Sequence, residues 1–76
     1  MEAAKLDARG LLCPLPVLKA RRALRVLSVG DTLEVLATDR GAWSDFEAFC
    51  RTTGNELVER EEMDGELRFV IRKLVG

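Results

Sequence analysis

A two-layer α+β sandwich is the fold class this sequence predicts, with elements in the order βαβαββ and two helices on one face of a four-stranded mixed sheet. Three observations predict it. Apolar residues alternate with a period of two in Ala4–Ala8, Thr32–Thr38 and 66–73, the mark of half-buried strands. They recur at helical spacing through 17–27 and again between Ala42 and Thr53. Asp64-Gly65, between the last two apolar runs, is a strong hairpin signal. The 76 residues leave room for one hydrophobic core, so residues 1–76 are expected to form one domain.

In the first strand Ala4, Leu6 and Ala8 alternate with Lys5 and Asp7, and Arg9-Gly10 turns the chain. Leu15, Val17, Leu18, Ala20, Ala23, Leu24 and Leu27 then form the apolar positions of a helix, with Lys19, Arg21, Arg22 and Arg25 on its remaining face. Pro16 disfavours the helical region for Leu15, so regular helix is expected from Pro16 onward. Gly30 suits a left-handed position ending this helix. In Thr32–Thr38, Leu33, Val35 and Ala37 alternate with Glu34, Leu36 and Thr38. A second helix starts either at Ser44, which has Glu47 at capping-box spacing, or at Asp39, and stops at Gly54. Ala42, Phe46, Phe49, Cys50 and Thr53 share one of its faces. Residues 56–62 form a strand of weaker periodicity, and 66–73 the clearest strand, with Leu67, Phe69 and Ile71 against Arg68, Val70 and Arg72. The first two strands, joined by a helix, should be parallel with a right-handed crossover, and the last two antiparallel.

Composition narrows the chemistry. Hydrophobic residues at 47% and charged residues at 33% fit a folded globular chain. No apolar run approaches the roughly 20 residues of a membrane span, so no membrane partner is expected. The stretch Leu11–Leu18 is broken by two prolines and follows no basic region, which makes a poor signal peptide and a cytoplasmic location the expectation. Two cysteines make no disulfide framework of the secreted kind. Histidine and tyrosine are absent, which excludes a Cys–His pair, a Ser–His–Asp triad and any histidine metal site. Net charge is −1, yet residues 1–30 carry +4 and residues 31–76 carry −5, an asymmetry that suits either directional docking or two differently decorated surfaces. A slightly acidic chain with few aromatics and one short basic helix is not expected to bind nucleic acid tightly.

The residues that carry chemistry lie in Leu11-Leu12-Cys13-Pro14-Leu15-Pro16. Proline is favoured at helix starts, so Cys13 falls at or near the N-cap, where unpaired N–H groups and the positive helix end favour a nucleophilic thiolate. Pro14 and Pro16 donate no N–H, so Leu15 and Val17 are the donors expected there, and the rigid first turn presents the sulfur outward. The other reading of Cys13 is a small buried hydrophobe behind two ordinary helix-starting prolines. Cys50, beside Phe46 and Phe49, reads as an inert core cysteine, with a resolving thiol for Cys13 as the alternative. Lys19 and Arg22, one turn apart, are candidates for steering an acidic partner. Trp43 reads as a packing residue. Asp39, Asp45 and the run Glu59, Glu61, Glu62, Asp64 and Glu66 fit no EF-hand spacing and read as solvated, so no metal site is expected.

Leu6-Asp7-Ala8-Arg9-Gly10-Leu11-Leu12-Cys13-Pro14-Leu15-Pro16 resembles the signature of the TusA/SirA-like small sulfur carriers, whose mark is Cys-Pro-x-Pro. The similarity continues through Val29-Gly30-Asp31, Ala37-Thr38-Asp39 and Phe49-Cys50-Arg51 with Gly54, and so covers nearly the whole chain. The resemblance implies a βαβαββ fold and a persulfide carried on Cys13, with Pro14 and Pro16 presenting it. It implies a cysteine desulfurase or rhodanese-type donor and a downstream acceptor protein, in relays that end in tRNA wobble-uridine thiolation, molybdenum-cofactor synthesis or sulfur oxidation. A component of a sulfurtransferase relay, monomeric when free and without a cofactor, is expected rather than a stand-alone enzyme. Two positions depart from the common pattern: Asp39-Arg40 where many members have Asp-Pro, and Gly54-Asn55 where many have Gly-His. A regulatory module in which Cys13, with or without Cys50, senses redox state is the alternative from a different class.

Overall fold

A computed structural model describes residues 3–76 of the chain. Its elements run β1 (Ala3–Ala8), α1 (Leu15–Arg25), β2 (Thr32–Ala37), α2 (Ala42–Thr53), β3 (Glu56–Met63) and β4 (Glu66–Arg72). The strands form one mixed sheet in the order β1-β2-β4-β3. β1 and β2 are parallel, and β4 is antiparallel to both β2 and β3. α1 packs on β1 and β2, and α2 on β3 and β4, so both helices cover one face, as the predicted fold class requires.

The alternation read in the sequence is the alternation of the two faces. Leu33, Val35 and Ala37 of β2 lie opposite Ile71, Phe69 and Leu67 of β4, and all six are buried beneath the helices. Phe46 of α2 stacks on Phe69 with ring centroids 4.5 Å apart, and Trp43 tilts against Phe69 at 6.2 Å. Arg60 closes this corner, its guanidinium 4.2 Å from the Trp43 ring centroid. Trp43 is thus the packing residue expected. On the open face, Arg68 binds Glu34, Glu59 (3.1 Å) and Glu61 (3.0 Å), which accounts for two members of the acidic run. Hydrogen bonding to Arg68 lowers the Glu34 carboxyl below its ordinary range.

Several boundaries differ from the expectation. α1 covers 15–25 rather than 17–27, because the Leu18 N–H reaches the Pro14 carbonyl (3.1 Å) and brings Leu15 into the first turn. Pro16 sits inside that turn and is buried, where its missing N–H costs nothing. Gly30 has φ +99°, but it turns the α1–β2 connection rather than ending the helix, whose C-cap is Val26. Leu15 and Leu18, expected on the apolar face, are 45% and 52% exposed, and the buried row is Pro16, Ala20 and Leu24. Ser44 forms no capping box. α2 begins two residues before it, at Ala42, with Gly41 as N-cap, so that Ala42 reaches the core. Gly54 ends α2 as predicted, at φ +86°, donating its N–H to the Cys50 carbonyl. The weak periodicity of β3 has a physical cause: its register passes from Leu57–Ile71 to Glu59–Val70, leaving Val58 as a bulge that reverses the alternation.

Candidate functional site

Cys13 lies on the loop between β1 and α1, at the end of the sheet where the parallel strands deliver their C-terminal ends. Three bonds pin this loop to the segment that follows β2. The Gly10 N–H donates to Thr38 Oγ1 (2.9 Å), and the Cys13 N–H donates to Asp39 Oδ2 (2.6 Å). The Cys13 Sγ–H donates to Asp45 Oδ2, in the first turn of α2. The sulfur also packs on Gly41, where an added Cβ would lie 3.6 Å from Sγ, an ordinary contact. Cys13 is exposed nonetheless. The Cys13–Pro14 peptide is cis, Pro14 is the N-cap of α1, and Cys13 immediately precedes it, as the sequence places it.

The electrostatics differ from those expected of a helix start. The Leu15 N–H, one of the two donors assigned to the sulfur, is spent on the Leu12 carbonyl (2.9 Å). Both side chains hydrogen-bonded to Cys13 are aspartates, Asp39 at the backbone N–H and Asp45 at Sγ, in place of the N–H donors expected around the sulfur. Lys19 and Arg22 are exposed along α1, one turn apart and away from these contacts. The reading of Asp39 and Asp45 as merely solvated residues is therefore corrected: both are half-buried and accept hydrogen bonds from Cys13, Asp39 from its N–H and Asp45 from its Sγ–H. Among the described residues no group of three or more metal-ligating side chains is assembled.

An apolar surface surrounds the sulfur. Leu12 is 72% exposed, and Leu15 and Leu18 continue from it along α1. On the other side of Pro14 a shallow groove between the helices is lined by Val17, Arg21, Asp45, Ala48 and Phe49. Cys50 lies in the core at 4% exposure, and burial pushes its thiol up to about 11. It stands nine residues along α2 from Gly41, the residue on which Cys13 packs. That is about 13 Å along the helix axis, beyond the reach of a disulfide. The residues that depart from the common pattern also have partners. Arg40 pairs with Glu62 (3.4 Å), and Asn55 Oδ1 accepts the Leu74 N–H (3.0 Å), tethering the end of the chain.

Comparison with known proteins agrees with this geometry. The family model described as sulfurtransferase TusA matches residues 4–73. The sulfur carrier protein TusA of Allochromatium vinosum is 51% identical over 91% of this chain and 91% of its own length. A putative sulfur carrier protein of Neisseria meningitidis serogroup A is 51% identical over 95% of this chain and 97% of its own. The crystal structure of a SirA-like protein from Desulfitobacterium hafniense superposes with a TM-score of 0.81, covering 95% of this chain and 99% of that one at 24% identity, a match of fold. A thiol presented on Cys-Pro-Leu-Pro, the βαβαββ sheet beneath it and relatives that align end to end together place the chain in the TusA family of small sulfur carriers.

Proposed function

We propose that this protein carries sulfane sulfur as a persulfide on Cys13, taking it from a donor protein and passing it to an acceptor protein. One observation carries the reading: of the two thiols, Cys13 alone is exposed, on a loop pinned to the β2–α2 connection at the end of the sheet. Delivery between proteins requires that combination of access and fixed position. The chemistry is an exchange at sulfur. The Cys13 thiolate attacks the terminal sulfur of a donor persulfide, a new S–S bond forms on Cys13, and the donor's own S–S bond breaks. The electron pair leaves with the donor sulfur, which departs as a thiolate and takes up the proton. No net oxidation occurs, and the reverse exchange unloads the sulfur onto the acceptor. No histidine is needed, because proton movement is set by the acidity of the two thiols.

The apolar rim of Leu12, Leu15 and Leu18 supports contact with a partner's surface, and the exposed basic face of α1, including Lys19 and Arg22, supports approach by an acidic one. The distance along α2 between Gly41 and Cys50 gives no support to an intramolecular disulfide switch.

Intact-protein mass spectrometry after incubation with cysteine and a cysteine desulfurase tests the proposal. Reductant-labile addition of one sulfur atom is expected for the wild type and for Cys50→Ser, and none for Cys13→Ser. Addition that persists in Cys13→Ser overturns the assignment.

A further inference from the structure

The geometry points to Asp45 as the residue that keeps Cys13 protonated and unreactive in the empty carrier and turns the sulfur outward once it is loaded. An aspartate in the first turn of a helix ordinarily complements the helix's own positive end. Asp45 is in that position on α2, yet its Oδ2 accepts the S–H of a residue 32 positions earlier in the chain. A carboxylate against sulfur favours thiol over thiolate, and the thiolate is the form that attacks.

Among the described residues no cation forms an ion pair with Asp45. From the β2–α2 loop Asp39 adds a second carboxylate at the Cys13 N–H, and Arg40 of the same loop is turned to Glu62 on β3. From the β1–α1 loop Arg9 is held by Asp7 and Glu66. From α1, Arg21 lines the groove that Pro14 and Asp45 share. The two groups bonded to Cys13 are both carboxylates.

Loading reverses the preference. A persulfide is a stronger acid than its parent thiol, so the loaded Cys13 carries a negative terminal sulfur. That sulfur has no proton to give Asp45 and is repelled by it, which favours a conformer turned toward solvent and an acceptor. One carboxylate thereby restrains the empty carrier and exposes the full one. A donor that engages the empty carrier has to displace or neutralise Asp45, for which a cation or an N–H from its own loop is the suited chemistry.

This inference takes Cys13 as the sulfur-bearing thiol, but its first half is tested without any sulfur donor. Iodoacetamide, an uncharged reagent, is reacted across a pH series with the wild type, Asp45→Asn, Asp45→Ser and Asp45→Glu, and the Cys13 adduct is followed by peptide mass spectrometry. Folding is checked by Trp43 fluorescence. In the Asn and Ser variants the pH–rate profile is expected to move to lower pH, with the rate at pH 7 rising roughly three- to tenfold. Asp45→Glu is expected to stay nearer the wild type. Profiles of the Asn and Ser variants that superimpose on the wild type overturn the inference. A second comparison needs no variant: despite its exposure, Cys13 of the folded wild type should react more slowly than Cys13 of the same chain unfolded in urea. Equal or faster reaction of the folded chain overturns it. Once the chain is persulfidated, the outer sulfur of the wild type should be alkylated faster than that of the Asn and Ser variants, which lack the repulsion; variants that react as fast as the wild type overturn the second half. Failure of Cys13 to take sulfur from a desulfurase, with the Asn shift intact, refutes the carrier function and leaves the Asp45 restraint standing.

Discussion

Asp39 stands where β2 has ended and α2 has not begun, and each of its polar groups serves a different stretch of chain. Oδ2 accepts the Cys13 N–H, Oδ1 accepts the Gly41 N–H (3.0 Å), and its carbonyl accepts the Ala42 N–H (3.0 Å). It caps the approach to α2 and anchors the thiol loop together. Asp39→Ala should lower stability by about 1.5–3 kcal/mol, the range for hydrogen bonds to a charged group, with Asp39→Asn losing less. Urea unfolding followed by Trp43 fluorescence measures both. At this scale the sequence was half legible. Cys13 is evident, because a thiol before two spaced prolines has few structural reasons to exist. Cys50 is evident as a core residue from Phe46 and Phe49 beside it. Asp39 and Asp45 are not, since each reads locally as an exposed acid. Only the closing of the sheet brings them to a residue 26 and 32 positions away.

Elements with one strong periodicity were read well, and elements with two competing demands were not. β2 and β4 bury every second residue and match their pattern. The β3–β4 turn also matches: Asp64 (φ +52°) and Gly65 (φ +83°) are both left-handed, as a two-residue hairpin turn of type I′ requires. Gly65→Ala places a Cβ in that conformation and should cost about 1–2 kcal/mol, read as a lower midpoint in thermal unfolding. β3 was less clear because Val58 shifts the phase, so that Leu57 and Arg60 face the helices while Glu59 and Glu61 face Arg68. In α1 the leucines serve two surfaces. Leu24 is buried in the core, whereas Leu15 and Leu18 extend an apolar surface outward from the thiol. Hydropathy alone does not separate a leucine facing the core from one facing a partner.

The whole molecule is tied together at its thiol-bearing end by charge as well as by packing. Arg9, just past β1, bonds Asp7 (2.9 Å) and reaches Glu66 at the start of β4 (3.2 Å), joining strands that are not neighbours in the sheet. The hydrogen bond from Arg9 holds the Asp7 carboxyl down at about 2. A depressed carboxyl contributes stability above its ordinary value of 3.8, and that contribution is lost as pH falls toward about 2. The difference in urea midpoint between wild type and Asp7→Asn should therefore be constant from neutral pH to about 5 and shrink between about 4 and 2. A difference that stays constant through that window would show that Arg9 does not hold Asp7. The charge asymmetry read from the sequence also acquires a location: α1 carries an exposed basic face, and much of the acidic excess lies along β3, an outer strand of the sheet. That strand is bulged at Val58 and carries Glu56, Glu59, Glu61 and Glu62. Two such edges brought together would set like charges against each other across a broken ladder. The chain thus carries, on the longest of its described strands, a barrier to fibre growth with copies of itself.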